Sequence, residues 1–173
     1  MKTWKILLIC FAVLFAVVIG SNIWNGERRQ LPAQTPESVT ATPTPPPEVI
    51  MISRMGDVMH DTVPDDWTVS WTYDPETRTA WFIFVDPAIT PELIQTAQKF
   101  PEETSERWES NKNSMIELQK EISKDLELNG YKDITVVLEL RNPENTEEPW
   151  LIVANGIAGY DVVSGIDLRG GQG

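Results

Sequence analysis

Hydrophobic and polar positions follow three rhythms along this chain, and each rhythm marks a different part of it. From Trp4 to Trp24 the residues are almost all apolar, and the run is entered through Lys2 and Lys5. Further on, short stretches alternate residue by residue. Between two of these stretches lies a long segment whose apolar residues recur every three or four positions.

The alternating stretches predict strands. In Trp67–Tyr73 the residues Trp67, Val69, Trp71 and Tyr73 face one way, and Thr68, Ser70 and Thr72 the other. Period two is the signature of a half-buried strand. Asp74, Pro75, Glu76 and Thr77 form a turn. Thr79–Val85 follows, apolar on both faces, and closes a hairpin as a more central strand. Ile134–Leu140 predicts a third strand, with Ile134, Val136, Leu138 and Leu140 inward. Trp150–Ala154 and Ile157–Val163 flank Asn155-Gly156, the strongest short hairpin signal.

Helices are predicted between and before them. Val49, Ile50, Met51, Ile52, Met55, Val58 and Met59 suggest a short leading helix. Thr90-Pro91-Glu92 reads as an N-cap followed by proline at the first helical position, opening a short helix to about Lys99. The main helix is expected from Glu102 to Asn129. Its stripe is Trp108, Met115, Leu118, Ile122 and Leu126, and Gly130 is placed to end it in a left-handed conformation. The expected fold class is α+β: an antiparallel or mixed sheet of about five strands (β-β-α-β-β-β) with one long helix packed on one face. The second face, which carries Thr68, Ser70, Thr72 and in part Glu139, is expected to be more polar.

The leading apolar run changes the picture of where this fold works. About 20 mainly apolar residues cross a hydrocarbon core. Residues 4–24 reach that length if Lys5 extends to the surface, with Trp4 and Trp24 near the two interfaces. The alternative is a cleaved secretory signal with an apolar centre at Ile6–Ile19, where Val18 and Gly20 precede a cut before Ser21. Residues 1–24 are therefore expected to be a signal anchor or a signal peptide. Lys2 and Lys5 hold the N-terminus inside, although Arg28 and Arg29 oppose this. Cys10 lies early in the run, where a small apolar side chain suits a membrane helix.

Residues 25–49 are rich in Pro, Thr, Gln and Glu, most clearly from Thr40 to Pro47. Such a segment favours extended polyproline II conformations and buries too little apolar surface to fold alone. It is expected to be a disordered spacer. Residues 50–168 then form the globular domain, and residues 169–173 a flexible tail.

Charge narrows the partners. The chain carries 14 Lys and Arg against 26 Asp and Glu, a net charge of −12. Residues 51–173 hold 10 of those cations and 23 of the acids. Such a surface repels nucleic acid, which is excluded as a partner.

Candidate chemistry is sparse. His60, the one histidine, lies beside Asp61, and a zinc site needs three or four ligands. Asn142, Glu144, Asn145, Glu147 and Glu148 offer oxygen to a calcium ion but lack the EF-hand order. No phosphate-cradling glycine loop or nucleophile motif is present, so no catalytic residue, cofactor or metal is assigned. Among the five tryptophans after residue 50, Trp67 and Trp150 lie near element ends and are the candidates for contacting a partner, by stacking on a sugar or a peptide. The rest belong to the core.

The amphipathic helix ends in Asn-Gly-Tyr-Lys-Asp (129–133). A Val-rich strand, an Asn-Pro loop at 142–143 and the Asn155-Gly156 hairpin follow, closing on Tyr160-Asp161-Val162-Val163. Together these resemble small exported or lipid-anchored domains of Gram-positive bacteria over Trp67–Val163. The resemblance implies an extracytoplasmic location and lends no activity.

The expected function is a non-enzymatic, membrane-tethered extracytoplasmic binding module. It meets the bilayer through residues 4–24 and a protein or cell-wall partner through its domain. Two alternatives stand beside it: a small hydrolase using Asp65, Asp66 or Glu139, and a structural subunit of an envelope complex.

Overall fold

The long helix and the strands appear where the periodicity puts them, and the way the strands pair decides which surfaces are left open. The structure is a computed structural model that describes residues 45–169. The anchor or signal expected at 1–24, nearly all of the spacer, and residues 170–173 lie outside the described residues. Among the described residues no helix is long and apolar enough to cross a membrane.

Helix α1 spans Pro47–Thr62, so the folded part begins slightly earlier than the composition suggests. Strand β1 (Thr68–Asp74) and strand β2 (Thr79–Val85) pair antiparallel as a hairpin. The Asp74 carboxylate closes their turn, accepting from the Glu76 amide at 2.9 Å and from the Thr77 hydroxyl at 2.8 Å. Helices α2 (Pro91–Lys99) and α3 (Pro101–Leu128) follow. Next come β3 (Thr135–Arg141), β4 (Pro149–Ala154), β5 (Ile157–Asp161) and β6 (Ile166–Asp167).

The predicted caps are present. Thr90 Oγ1 accepts from the Leu93 amide at the start of α2. At the end of α3, Gly130 has φ +93°. The Gly130 amide donates to the Glu127 carbonyl and the Tyr131 amide to the Leu126 carbonyl. This pair of bonds is a Schellman motif, which satisfies carbonyls the helix leaves open. Asn155 and Gly156 both have positive φ (52° and 74°), as a tight β4–β5 hairpin requires.

One correction to the expected architecture arises here. The sheet has six strands rather than about five, while the three described helices lie where the leading, short and main helices were expected. The stretch expected as one strand to Val163 breaks at Asp161, turns, and returns as β6. Spatial order follows chain order from β1 to β6. Only β2 and β3 are parallel, so the sheet is mixed. A parallel step needs a long crossover, and α2 with α3 supplies it.

Register fixes the two faces. On one face lie Val69, Trp71, Ala80, Phe82, Phe84, Val136, Leu138, Leu140, Leu151 and Val153, joined pair by pair across the strands. All but Trp71 are buried. Trp108, Met115, Ile122 and Leu126 of α3 share this core, as do Ile52, Met55 and Met59 of α1. Gly56 lets α1 approach closely, since a Cβ there would stand 2.1 Å from the Trp71 ring. Leu118, expected in the α3 stripe, is only partly buried, and Gln119 is 3% exposed in its stead. The Gln119 amide explains this: its Nε2 donates to the Val136 carbonyl and its Oε1 accepts from the Gly156 amide. The side chain thus supplies partners to backbone groups that an apolar residue would leave unmet.

Candidate binding surface

The other face of the sheet carries no described helix, yet its centre is not polar. Its side chains form three rows across the strands. One row runs Thr72, Trp81, Val137, Ala154, Ile157; a second runs Ser70, Ile83, Glu139, Ile152, Tyr160, Asp167. A third runs Thr68, Val85, Arg141. Thr68, Ser70 and Thr72 are exposed, as alternation in β1 predicted. The polar positions expected from the sequence, Glu139 among them, are on this face, but they surround an apolar centre rather than covering it. Trp81, Ile83, Val85, Val137 and Ile152 are apolar and only partly buried.

The cause lies in β2, which is apolar at every position except Thr79. A strand inside a sheet covered on both sides reads this way, but here one side is uncovered among the described residues. Contiguous apolar surface that remains wet is unusual on a soluble domain and marks interaction sites.

Two charged features break the apolar field. Glu139 is 9% exposed and pairs with Arg141, whose Nε lies 2.7 Å from the Glu139 carboxylate. Arg141 Nη1 also donates to the Thr146 carbonyl at 2.9 Å. The two bonds of Arg141 hold the pair in place. At the far end, Arg169 lies 3.8 Å from the Tyr160 ring centre and pairs with Asp167. Its hydrogen bonds hold the Asp167 carboxyl down at about 2.

The helix-covered side holds a different constellation. Asp161, 0% exposed, accepts four hydrogen bonds. Trp108 Nε1 donates at 2.8 Å, the Val163 amide at 3.0 Å, the Ser164 amide at 3.2 Å and Lys112 Nζ at 3.1 Å. Lys112 also pairs with Glu109. Burial works to raise the Asp161 pKa, but the bonds from Ser164, Lys112 and Trp108 outweigh it and hold the carboxyl below the usual range. Three of these bonds converge on Oδ1, and Lys112 holds Oδ2. The carboxylate ties the turn after β5 to α3, and Gln98 of α2 adds a bond to the Val162 carbonyl. The arrangement is structural.

A groove of about 540 Å³ lies between the end of α3 and the β3 and Asn155-Gly156 edges. Gln119, Lys120, Lys124, Lys132, Glu127 and Tyr131 are among its lining residues. Lys120 pairs with Glu117 and Lys124 with Glu121, so little net positive charge is left for an anion.

The residues singled out in the sequence are scattered. Trp67 is partly exposed just ahead of β1. Trp150 is 2% exposed, so as folded its ring has almost no surface to offer a partner; it belongs to the core. Trp81 is the tryptophan that emerges beside a threonine on a sheet face. The sequence signal for it was present in the two-sided apolarity of β2. Asp65 and Asp66 are exposed, far along the chain from Glu139, and none of the three lines the groove. His60 is exposed, and its Nδ1 lies 3.4 Å from the Asp61 carboxylate. In the Asn142 loop the side-chain oxygen accepts from the Glu144 amide and the nitrogen donates to Glu148. Its polar groups are used internally. Among the described residues no three His, Cys, Asp or Glu side chains come together as metal ligands would.

No protein-family model, curated protein or solved structure matches this chain.

Proposed function

We propose that this protein is a membrane-tethered extracytoplasmic binding module without catalytic activity, and that its open sheet face meets a protein or cell-wall partner. The observation that carries the reading is the apolar centre of that face: Trp81, Ile83, Val137 and Ile152 stay partly exposed. A few side chains, tryptophan prominent among them, carry most of the energy of recognition surfaces, and Trp81 stands at the centre of this one. The apolar run at 4–24 supports attachment to a bilayer, and the Pro- and Thr-rich stretch after it supports a stand-off from the lipid. Lys2 and Lys5 favour a single pass with the N-terminus in the cytoplasm, while cleavage before Ser21 would release the domain. The likeness to exported domains of Gram-positive bacteria points to the same side of the membrane.

Full-length protein in lipid nanodiscs, incubated with purified cell wall and with solubilised envelope proteins, tests the reading. Retention by one fraction is expected, and it should fall at least about tenfold for Trp81→Ser combined with Ile83→Ser. Equal retention of the wild type and the double variant would remove the open face from the account. A reporter fused after Gly173 should be silent in the cytosol; activity there would overturn the topology.

A further inference from the structure

The two edges of the sheet are built in opposite ways. At one edge, β6 is only two residues long, and one of them, Asp167, is paired with Arg169 just beyond the strand. Short strands and charges are how proteins prevent edge pairing. At the other edge, β1 runs seven residues with no proline, no lysine and no bulge, in unbroken register with β2. Its residues Thr68 to Tyr73 are β-branched or aromatic except for Ser70, the composition that favours strand pairing. Among the described residues, no strand pairs with its outer side, and its backbone makes no backbone hydrogen bond beyond the β2 ladder.

An open edge of this length is a template for another strand. Charge decides which one. Asp65 and Asp66 stand just before β1, and Asp74 and Glu76 stand at its end; Asp65, Asp66 and Glu76 are exposed. Two copies paired antiparallel through β1 would bring the carboxylates at one end of each against those at the other end of its mate, twice over. Both copies also carry a net charge of −12. Like charges placed opposite across strands destabilise the pairing. The same four acids attract a strand whose ends are basic.

The side chains of β1 add a further requirement. Trp71 and Tyr73 point toward the helix side and remain only partly buried at this edge, while Thr68, Ser70 and Thr72 are exposed on the open face. An incoming strand thus finds apolar neighbours on one side and hydroxyls on the other.

We infer that β1 accepts an extended polypeptide segment of alternating apolar and polar residues with basic residues at both ends, and that Asp65, Asp66, Asp74 and Glu76 select it while keeping the protein from pairing with itself. This inference rests on the binding-module reading and names its partner's chemistry.

Two synthetic peptides test it. Both carry the same seven-residue core of alternating threonine and valine, matched to the length of β1; one has lysine pairs at its ends, the other glutamate pairs. With the full-length protein in nanodiscs, the lysine peptide should bind at least about tenfold more tightly, and the preference should fade as salt rises toward about 0.5 M. Amide hydrogen exchange should slow at residues 68–74 on binding. The variant Asp65→Asn, Asp66→Asn, Asp74→Asn, Glu76→Gln should lose the preference and gain self-association in sedimentation. Equal binding of the two peptides, unchanged exchange in β1, or self-association of the wild type through β1 would each overturn the inference. Peptide binding that is abolished by Trp81→Ser and Ile83→Ser but leaves β1 exchange unchanged would sink the edge inference alone and keep the open-face reading. The peptide comparison on the wild-type protein decides the matter even if the fourfold variant fails to fold.

Discussion

The two faces of this sheet share their strands but not their fate. On the helix side, Phe82, Phe84, Leu138 and Val153 are buried beneath α1 and α3. One residue along the same strands, Trp81, Ile83, Val137 and Ile152 face outward and stay partly exposed. Residue type hardly distinguishes the two sets, and only the helices do. Burial on the covered face stabilises the fold, whereas the apolar side chains of the open face are covered by no described helix. Substitutions that lower stability should therefore cluster on one side, and those that alter recognition on the other.

The sharpest break of this contrast lies at Asp161. Replacing it with Ala takes the acceptor from the Trp108 indole N–H and from the Val163 and Ser164 amides, and leaves the mostly buried Lys112 ammonium with Glu109 alone. A loss of about 3–5 kcal/mol is expected in urea unfolding, enough to consume much of a small domain's stability. A loss below about 1 kcal/mol would show that the clamp between α3 and β5 matters little.

Next in size is Gly56→Ala. The new methyl meets the Trp71 ring, so α1 or the indole must move. A cost of about 1–3 kcal/mol is expected from overpacking. If the variant is as stable as the wild type, α1 is not seated on the covered face as described.

Trp81→Ser probes the open side. Its ring is already partly solvated, so the expected destabilisation is about 1 kcal/mol, less than full burial would give. Binding to the partner fraction should fall far more than stability does. A stability loss as large as that of Asp161→Ala would mean that the two faces are alike after all.

Tyr73→Phe sits on the covered side with the opposite sign. The Tyr73 hydroxyl is buried without a hydrogen-bond partner among the described residues, and burial pushes its pKa up. Removing the hydroxyl should leave stability unchanged or raise it by up to about 1 kcal/mol.

The smallest expected effect separates two carboxylates by pH. The pKa of Asp161 is lowered in the folded state, so its stabilisation is full above the unfolded value of about 4. That stabilisation fades as pH falls through the folded value. Burial raises the pKa of Asp86, against the Ala88 amide and the nearby Arg107. Its ionisation therefore burdens the fold at neutral pH, and the burden lifts as pH falls through the raised value. In thermal melts, the gap between wild type and Asp161→Asn should close on acidification below about pH 4. Asp86→Asn should be at least as stable as the wild type at pH 7, with that advantage shrinking in acid. Gaps that do not change with pH would remove both assignments.

Local signals carried much of the fold. Alternation located β1 and β3 to within a residue or two, because side-chain direction in a strand is set by the backbone itself; the two-sided apolar run marked β2, and the Asn155-Gly156 turn marked β4. Thr90, Gly130 and Asn155-Gly156 marked their caps and turn, because capping and positive φ are decided by the nearest few residues. The break at Asp161 was only partly legible. Val162 and Val163 favour a strand, whereas the turn rests on local bonds from the Val163 and Ser164 amides to the Asp161 carboxylate and on Gly165 at φ +73°, with the distant Trp108 and Lys112 side chains adding to it.

The site was less legible than the fold. Trp150 and Trp81 are both tryptophans in apolar strands, and nothing local tells which is covered. The bulge in register between Leu140 and Arg141 lies opposite the start of β4, where Trp150 is buried, while β2 presents Trp81 on the open side. Gln119 was hidden for a related reason: a polar residue beside an apolar stripe looks like surface until its backbone partners on β3 and the β4–β5 turn come into range.

By itself the sequence determined the strand and helix periods, the helix caps, the acidic charge and the apolar leader, since each depends on residues close together in the chain. Tertiary structure alone decided that β2 and β3 run parallel, that the helices cover one face, and that β1 rather than β6 is the long open edge. Those outcomes depend on which distant segments bury each other's apolar surface, and that choice minimises exposure over the whole molecule rather than within any window of it.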